Sequence, residues 1–163
     1  MIELVILIGI ISTIAAFAVP KLLRARMTGN ETSAIASLEV LTSSQMAYST
    51  SCGQNGYAAS FVVLGTPAPG TNQGFISADL GMVAAPQKSG YAFTLSAGTG
   101  AVAGSPDCNG AATITAYYAT AVPLTLGTTG ARSFATNAGH TIWQVGAAVA
   151  PTEPFGAPAM PIQ

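Results

Sequence analysis

The apolar positions change their pattern twice along this chain. From Leu4 to Val19 the sequence reads LVILIGIISTIAAFAV, 16 residues without a charge. A helix of that composition has no polar stripe and must be covered on all sides, by lipid or by protein. At 1.5 Å per residue it spans about 24 Å, somewhat less than the roughly 30 Å hydrocarbon layer of a bilayer. The shortfall implies that Met1, Ile2 and something ahead of them contribute, and that the N-terminus is trimmed. A secretory signal peptide carries its positive charges ahead of the apolar run, whereas Lys21, Arg24 and Arg26 follow this one.

Beyond Pro20 the pattern becomes one-sided. Ala34, Leu38, Leu41, Gln45 and Tyr48 recur at spacings of four, three, four and three, with Asn30, Ser37 and Ser44 as polar residues between them. This predicts an amphipathic helix with one stripe seeking a core. Gly29 is a soft point in it, and the Ser-Thr-Ser-Cys-Gly segment at 49–53 is its stop. A helix near 50 residues is about 75 Å long, more than a single head can cover, so its first half needs another covering. The chain divides accordingly into a helix over 1–50, apolar in 1–20 and amphipathic in 21–50, and a head over 51–163.

Within the head, residues 54–89 sustain neither periodicity, although Phe61–Leu64 and Phe75–Leu80 are short apolar patches; a long structured connector is expected. Gly90–Ala97 alternates Tyr91, Phe93 and Leu95 with Ala92, Thr94 and Ser96, and Thr113–Val122 is rich in Thr, Tyr, Ile and Val. Both read as strands. Ala131–Thr136 and His140–Val145 flank Asn137-Ala138-Gly139, which predicts a hairpin with Gly139 at positive φ. The segment 147–163, with four prolines, reads as a tail or docked arm without regular structure. The fold class is therefore α+β, a long N-terminal helix on an antiparallel sheet of about four strands.

Composition narrows the function. Charged residues are 7% of the 163, half the residues are apolar and mean hydropathy is +0.50. Average soluble domains are about 25% charged, so much of this surface is expected to meet protein or lipid. The five basic residues, Lys21, Arg24, Arg26, Lys88 and Arg132, form no stripe beyond the cluster at 21–26, and no nucleic-acid partner is evident. That cluster suits headgroup-level charges flanking an apolar segment.

Cys52 and Cys108 are the only cysteines and lack a Cys-x-x-Cys arrangement. The economical reading is a disulfide that staples the helix end to the sheet in an oxidising compartment. The single histidine, His140, lies beside a turn, and Asp79 and Asp107 stand apart without ligand spacing. No metal, cofactor or enzymatic activity is expected from this set. Glu3 is the only ionisable side chain ahead of the apolar run. At membrane depth its carboxylate costs about 2.5–3.5 kcal/mol and needs a partner, unless it sits at the headgroups, favoured by the helix dipole. Pro20 cannot donate to the carbonyl of Ala16, which predicts either local unwinding or a modest kink.

Met-Ile-Glu-Leu-Val-Ile-Leu-Ile at 1–8, the apolar run to Val19, Pro20, Arg24-Ala25-Arg26-Met27 and Asn30-Glu31-Thr32-Ser33-Ala34 together resemble the N-terminal helix of bacterial type IV pilins and type II secretion pseudopilins. The resemblance covers roughly the first third of the chain. In that family the mature chain usually begins Phe-Thr-Leu-Ile-Glu with a methylated first residue, and a proline follows the glutamate by 17 residues, the separation of Glu3 and Pro20. It implies two further residues and a leader peptide ahead of Met1.

It also implies that Glu3 neutralises the N-terminal amine of an adjacent subunit, and that helix unwinding near Pro20 accompanies packing. The function implied is a structural subunit of a pilus-like filament. Its partners are copies of itself, the inner membrane before assembly and the pilus assembly machinery, and its final location is the cell surface. A periplasmic pseudopilin and a monomeric membrane-anchored binding module are the alternatives.

Overall fold

A computed structural model describes residues 2–162. Met1 and Gln163 lie outside the described residues, and so does the expectation of residues ahead of Met1. Helix α1 runs Ile2–Ser51, 50 residues, with Pro20 inside it and no interruption there or at Gly29. The segment around Pro20 is thus helical in the isolated chain. The helix ends where Gln54 and Asn55 take left-handed conformations, at φ 49° and 66°, and Asn55 N–H donates to the Ser49 carbonyl. Asn is among the few non-glycine residues that tolerate this conformation.

The predicted stripe packs as read. Ala34, Leu38, Leu41, Gln45 and Tyr48 are all buried, joined by Glu31, Ser37, Ser44 and Ser49. Ser37 and Ser44 had been expected among the polar positions outside the core. Small hydroxyl side chains fit under a close-packed helix, and Ser37 satisfies its Oγ by donating to the Ser33 carbonyl at 2.8 Å.

Segment 54–89 is more structured than its lack of periodicity suggested. Strand β1 (Tyr57–Ala58) is followed by the short helices α2 (Phe61–Gly65) and α3 (Ala78–Gly81), then strand β2 (Gln87–Lys88). Backbone contact organises this region. A Cβ on Gly65 would collide with the backbone of Gly81, and one on Gly74 with Gly65. Phe61, Leu64, Ile76 and Leu80 are thereby carried into the core.

The main sheet is antiparallel, with six strands in the order β2, β3 (Tyr91–Ala97), β5 (Tyr117–Pro123), β6 (Ser133–Asn137), β7 (Trp143–Val145) and β8 (Met160–Pro161), two more than expected. The predicted strand at 113–122 is broken. Its first part, β4 (Thr113–Ile114), pairs with β1 in a separate two-stranded sheet before the chain crosses to β5. In β3, Tyr91, Phe93 and Leu95 are buried while Thr94 and Ser96 are exposed, as the alternation predicted.

Register places Leu95 opposite Ala119, Phe93 opposite Ala121, and Ala121 opposite Phe134, so these side chains share the face that meets α1. Alanines at 119 and 121 allow the helix to approach this sheet closely.

The hairpin of β6 and β7 pairs directly, Phe134 opposite Gln144. Its left-handed residue is His140, at φ 59°, and not Gly139. The reason is Asn137, whose Oδ1 accepts from Gly139 N–H at 2.9 Å and moves the reversal one residue along. The C-terminal segment is a docked arm that also contributes β8. It crosses the back of the sheet, where Ser133 Oγ donates to the Ala147 carbonyl, Tyr118 OH to the Pro151 carbonyl, and Phe155 stacks on Trp143 at 5.4 Å. β6 is consequently covered on both faces.

Gln45 acts as a strand mate in the core. Its Nε2 donates to the Ala58 carbonyl and its Oε1 accepts from Ala58 N–H, both at 2.9 Å. Gln45→Leu keeps the volume and leaves both backbone groups buried without partners, at about 1–3 kcal/mol each. A loss of about 2–4 kcal/mol in denaturant unfolding is expected; a loss under about 1 kcal/mol would contradict this role.

Alkaline pH should unfold the head. Burial and then the neighbouring Asp107 carboxylate push the Tyr48 phenol far above its usual range; burial and then Glu31 raise Tyr91, against an opposing pull from Arg132. These folded pKa values are raised, so their contribution is complete below the unfolded value near pH 10 and is lost as pH rises above it. Phenolate absorbance from Tyr48 and Tyr91 is expected to appear together with loss of near-ultraviolet circular dichroism. Titration of both near pH 10 in a folded chain would refute it.

Candidate assembly surface

Helix α1 has two environments along one axis. Among the described residues, Met27 is the first even partly buried position, and Glu31 is the first buried one. Up to that point the side chains stand clear of the head, including Ile6, Ile10, Ile14, Phe17, Leu22 and Leu23, each at least half exposed. The bare apolar surface from Ile2 to Leu23 is 22 residues, about 33 Å at 1.5 Å per residue. That is longer than the uncharged run alone, because Leu22 and Leu23 extend it past Lys21. The helix is long and apolar enough to cross a membrane, and its most apolar window, of mean hydropathy 2.5, has no residue buried in the head. Such an element suits a membrane anchor or a signal segment.

Glu3 lies in the first turn, where the helix dipole favours a carboxylate, and it is exposed. Pro20 stands about 25 Å further along, at the end of the apolar run. The two are not brought together, nor does either touch the head. Gly9 is open, and Thr13 Oγ1 donates back to the Ile10 carbonyl at 2.8 Å.

Cys52 and Cys108 do meet, as a disulfide with Cα atoms 4.8 Å apart. Cys108 lies in the loop between β3 and β4, so the staple joins the helix end to this loop and not to the main sheet directly. Cys108 N–H also donates to the Cys52 carbonyl at 2.9 Å. Beside it, Asp107 is buried; Oδ1 accepts from the amides of Asn109 and Ala111, and Oδ2 accepts from Tyr48 OH at 2.8 Å. The bridge closes a separation of 56 residues, worth about 4 kcal/mol in the chain-entropy account.

A second tie was not read from the sequence. Glu31 is 6% exposed and forms an ion pair with Arg132; its Oε1 accepts from Ala131 N–H at 2.8 Å and its Oε2 from Arg132 Nε at 3.0 Å. Arg132 also reaches Gln144 and lies 5.6 Å from the Phe134 ring centre. Next to it, Asn30 Nδ2 donates to the Thr129 carbonyl at 2.9 Å. One signal was available: Glu31 precedes Ala34 by three, so it continues the spacing of the buried stripe. The two ties grip α1 at both ends of its covered length and leave the rest as a rigid projection.

His140 is exposed on its turn, and Asp79 pairs with Lys88 at 2.7 Å. Among the described residues, no three His, Cys, Asp or Glu side chains gather as metal ligands.

Among the described residues, removal of everything up to Arg26 deletes no buried side chain. The shortened chain is expected to stay folded and in the aqueous phase of a detergent partition, while the full chain enters the detergent phase. A full chain that remains monomeric in buffer without detergent would contradict the reading of the bare surface.

No protein-family model matches the chain, and comparisons with curated proteins and with solved structures give no match either.

Proposed function

We propose that this chain is the structural subunit of a type IV pilus-like filament, held in the inner membrane by α1 before assembly and packed by the same helix afterwards. One observation carries the reading. A continuous helix is bare over its first half and pinned over its second, so each folded copy presents an apolar rod that lipid or other copies must cover. Exchanging lipid for neighbouring helices gains packing and not hydrophobic transfer, so extraction requires assembly machinery. The resemblance of the first third to pilins and pseudopilins supports the same reading, and with it the prepilin leader and the N-methylated start.

Glu3 is the charge that such a rod cannot leave unpaired, and its role is to meet a cation of an adjacent copy during assembly, the terminal amine in the family resembled. Glu3→Val removes that demand without shortening the apolar surface. Filaments sheared from cells and viewed by electron microscopy are expected for the unaltered chain and strongly reduced for Glu3→Val. Normal filament yield from the variant would remove the assembly role of Glu3. Filaments confined to the periplasm would favour a pseudopilus, and a monomer in the membrane would favour an anchored binding module.

A further inference from the structure

Strand direction fixes which end of the head faces the bare rod. β3 and β5 pair from Tyr91 opposite Pro123 to Ala97 opposite Tyr117. Tyr117 lies against Tyr57, beside the Ala58 that Gln45 holds, so this end of the ladder stands high on α1. At the other end Gly90 lies beside Asn30, and Thr129 and Ala131 are bonded to Asn30 and Glu31. β5 therefore runs down α1 toward its bare half, and the loop from Leu124 to Thr129 that follows it closes the lower edge of the sheet.

That loop does not have the composition of a solvated turn. Residues 124–131 read LTLGTTGA, without a charge, and Leu124 and Leu126 are 49% and 44% exposed. Turns in water favour Gly, Pro, Asn, Asp and Ser. Its backbone is also satisfied from within. Leu124 N–H donates to the Gly90 carbonyl, Thr125 N–H to Thr129 Oγ1, Gly127 N–H to the Gly130 carbonyl, and Thr128 and Thr129 N–H both to the Thr125 carbonyl. The Thr129 carbonyl accepts from Asn30 Nδ2. A loop whose amides are paired internally loses little when water is withdrawn from it.

We infer that this loop is a second membrane contact of the chain, resting in the lipid interface before assembly with Leu124 and Leu126 turned to the hydrocarbon edge. This rests on the membrane-anchor part of the reading above and assigns the head a fixed position on the bilayer. Distances allow it. Asn30 is seven residues beyond Leu23, the last residue of the bare apolar surface, or about 10 Å along the helix. The polar headgroup layer accounts for about 5–7 Å of that. Between Leu124 and Thr129 the chain has room for about two residues down and two back, a drop of about 6–7 Å. A rod tilt of about 20°, the average for membrane helices, lowers a loop about 10 Å to one side by about 3 Å more. The leucines thus reach the hydrocarbon boundary when α1 leans toward its sheet side.

Charge favours the same contact. Arg24 and Arg26 are exposed at headgroup level and make no ion pair among the described residues, which suits anionic headgroups. The acids near the lower edge are occupied, Glu31 by Arg132 and Asp79 by Lys88, so neither opposes lipid phosphate as a free carboxylate. Leu23 and Met27 precede Glu31 at spacings of four, on the face of α1 that the head grips. Apolar surface therefore leads from the rod up to the loop. Lipid is the occupant these features select, because the anchor emerges from the bilayer beside the two leucines.

An environment-sensitive fluorophore on the full chain tests this in vesicles of phosphatidylethanolamine and phosphatidylglycerol. Both native cysteines are in the disulfide, so an introduced thiol is the only reactive one. Thr128→Cys places the label on the loop and keeps both leucines; Phe17→Cys reports the rod and Val102→Cys the opposite end of the head. The label at 128 is expected to emit at shorter wavelength than the label at 102 and to be quenched by nitroxide lipids labelled near the headgroups. Adding Leu124→Ser and Leu126→Ser should abolish that shift at 128 and leave the signal at 17 unchanged. A label at 128 that behaves like the one at 102, while 17 reports hydrocarbon, overturns the loop contact and leaves the anchor standing. Loss of the hydrocarbon signal at 17 as well overturns both. A shift at 128 that appears only at high protein density assigns the leucines to a second copy and overturns the lipid contact.

Discussion

A helix of 50 residues cannot be covered by the head it belongs to, and the rest of the structure follows from that mismatch. At about 75 Å the rod is roughly twice the diameter, near 35 Å, of a compact domain of about 110 residues. The head therefore grips only the part from Asn30 to Cys52. It does so at both ends, with the Glu31–Arg132 pair at the lower edge and the Cys52–Cys108 bridge at the top. Between them the contact is mostly apolar, with Gln45, whose amide is fully used by Ala58, and Tyr48, whose hydroxyl donates to Asp107, as polar ties. A grip fixed at two separated points transmits the orientation of the head to the bare rod. Glu31 is buried while Arg132 stays partly exposed, so loss of the arginine would leave a buried carboxylate held by the Ala131 amide alone. The pair therefore holds its place even where it adds little net stability.

Periodic features and the Cys52–Cys108 bridge were legible in the sequence, and the other chemical ties across the chain were not. The stripe from Ala34 to Tyr48 and the alternation in Tyr91–Leu95 each repeat within one element, so local spacing was enough to find the buried side. Glu31 and Arg132 are 101 residues apart, and nothing in the sequence near either one indicates the other. The same holds for Tyr48 and Asp107. The region from 54 to 89 escaped because its order comes from glycine backbones in contact, at Gly65, Gly74 and Gly81, and such contact has no hydrophobic period. The strand at 113–122 was read as one because β propensity does not record a change of sheet between Ile114 and Tyr117.

For Glu3 and Pro20 the sequence supplied positions and the fold supplied their context. Glu3 and Pro20 are on the bare rod, as a linear reading of the apolar run requires. The fold adds that nothing in the head reaches either of them, so partners for Glu3 are to be sought outside the fold. Internal neutralisation of the head has the same consequence. Its charged side chains are satisfied within it, except for Glu39, which is exposed on α1 beside a groove lined by His140, Ile142 and Ile162.

An apolar rod has no preferred axial position against its copies. Sixteen uncharged residues pack almost as well after a shift of one turn as before it, and transfer from lipid into a bundle of such helices does not select one shift over another. Register must therefore come from whatever breaks the uniformity of the rod. Pro20 is one such feature, but it lacks a complementary partner elsewhere on the helix. Charges have partners of opposite sign. Each exposed surface pair contributes little in water, about 0.2–1 kcal/mol. At the bilayer boundary the balance changes, because an unpaired Glu3 in hydrocarbon costs more than that pair would be worth in water. Selectivity then arises from the penalty on the wrong registers, and the low charge content of the chain works in its favour, since each further charge on the rod would add competing displacements.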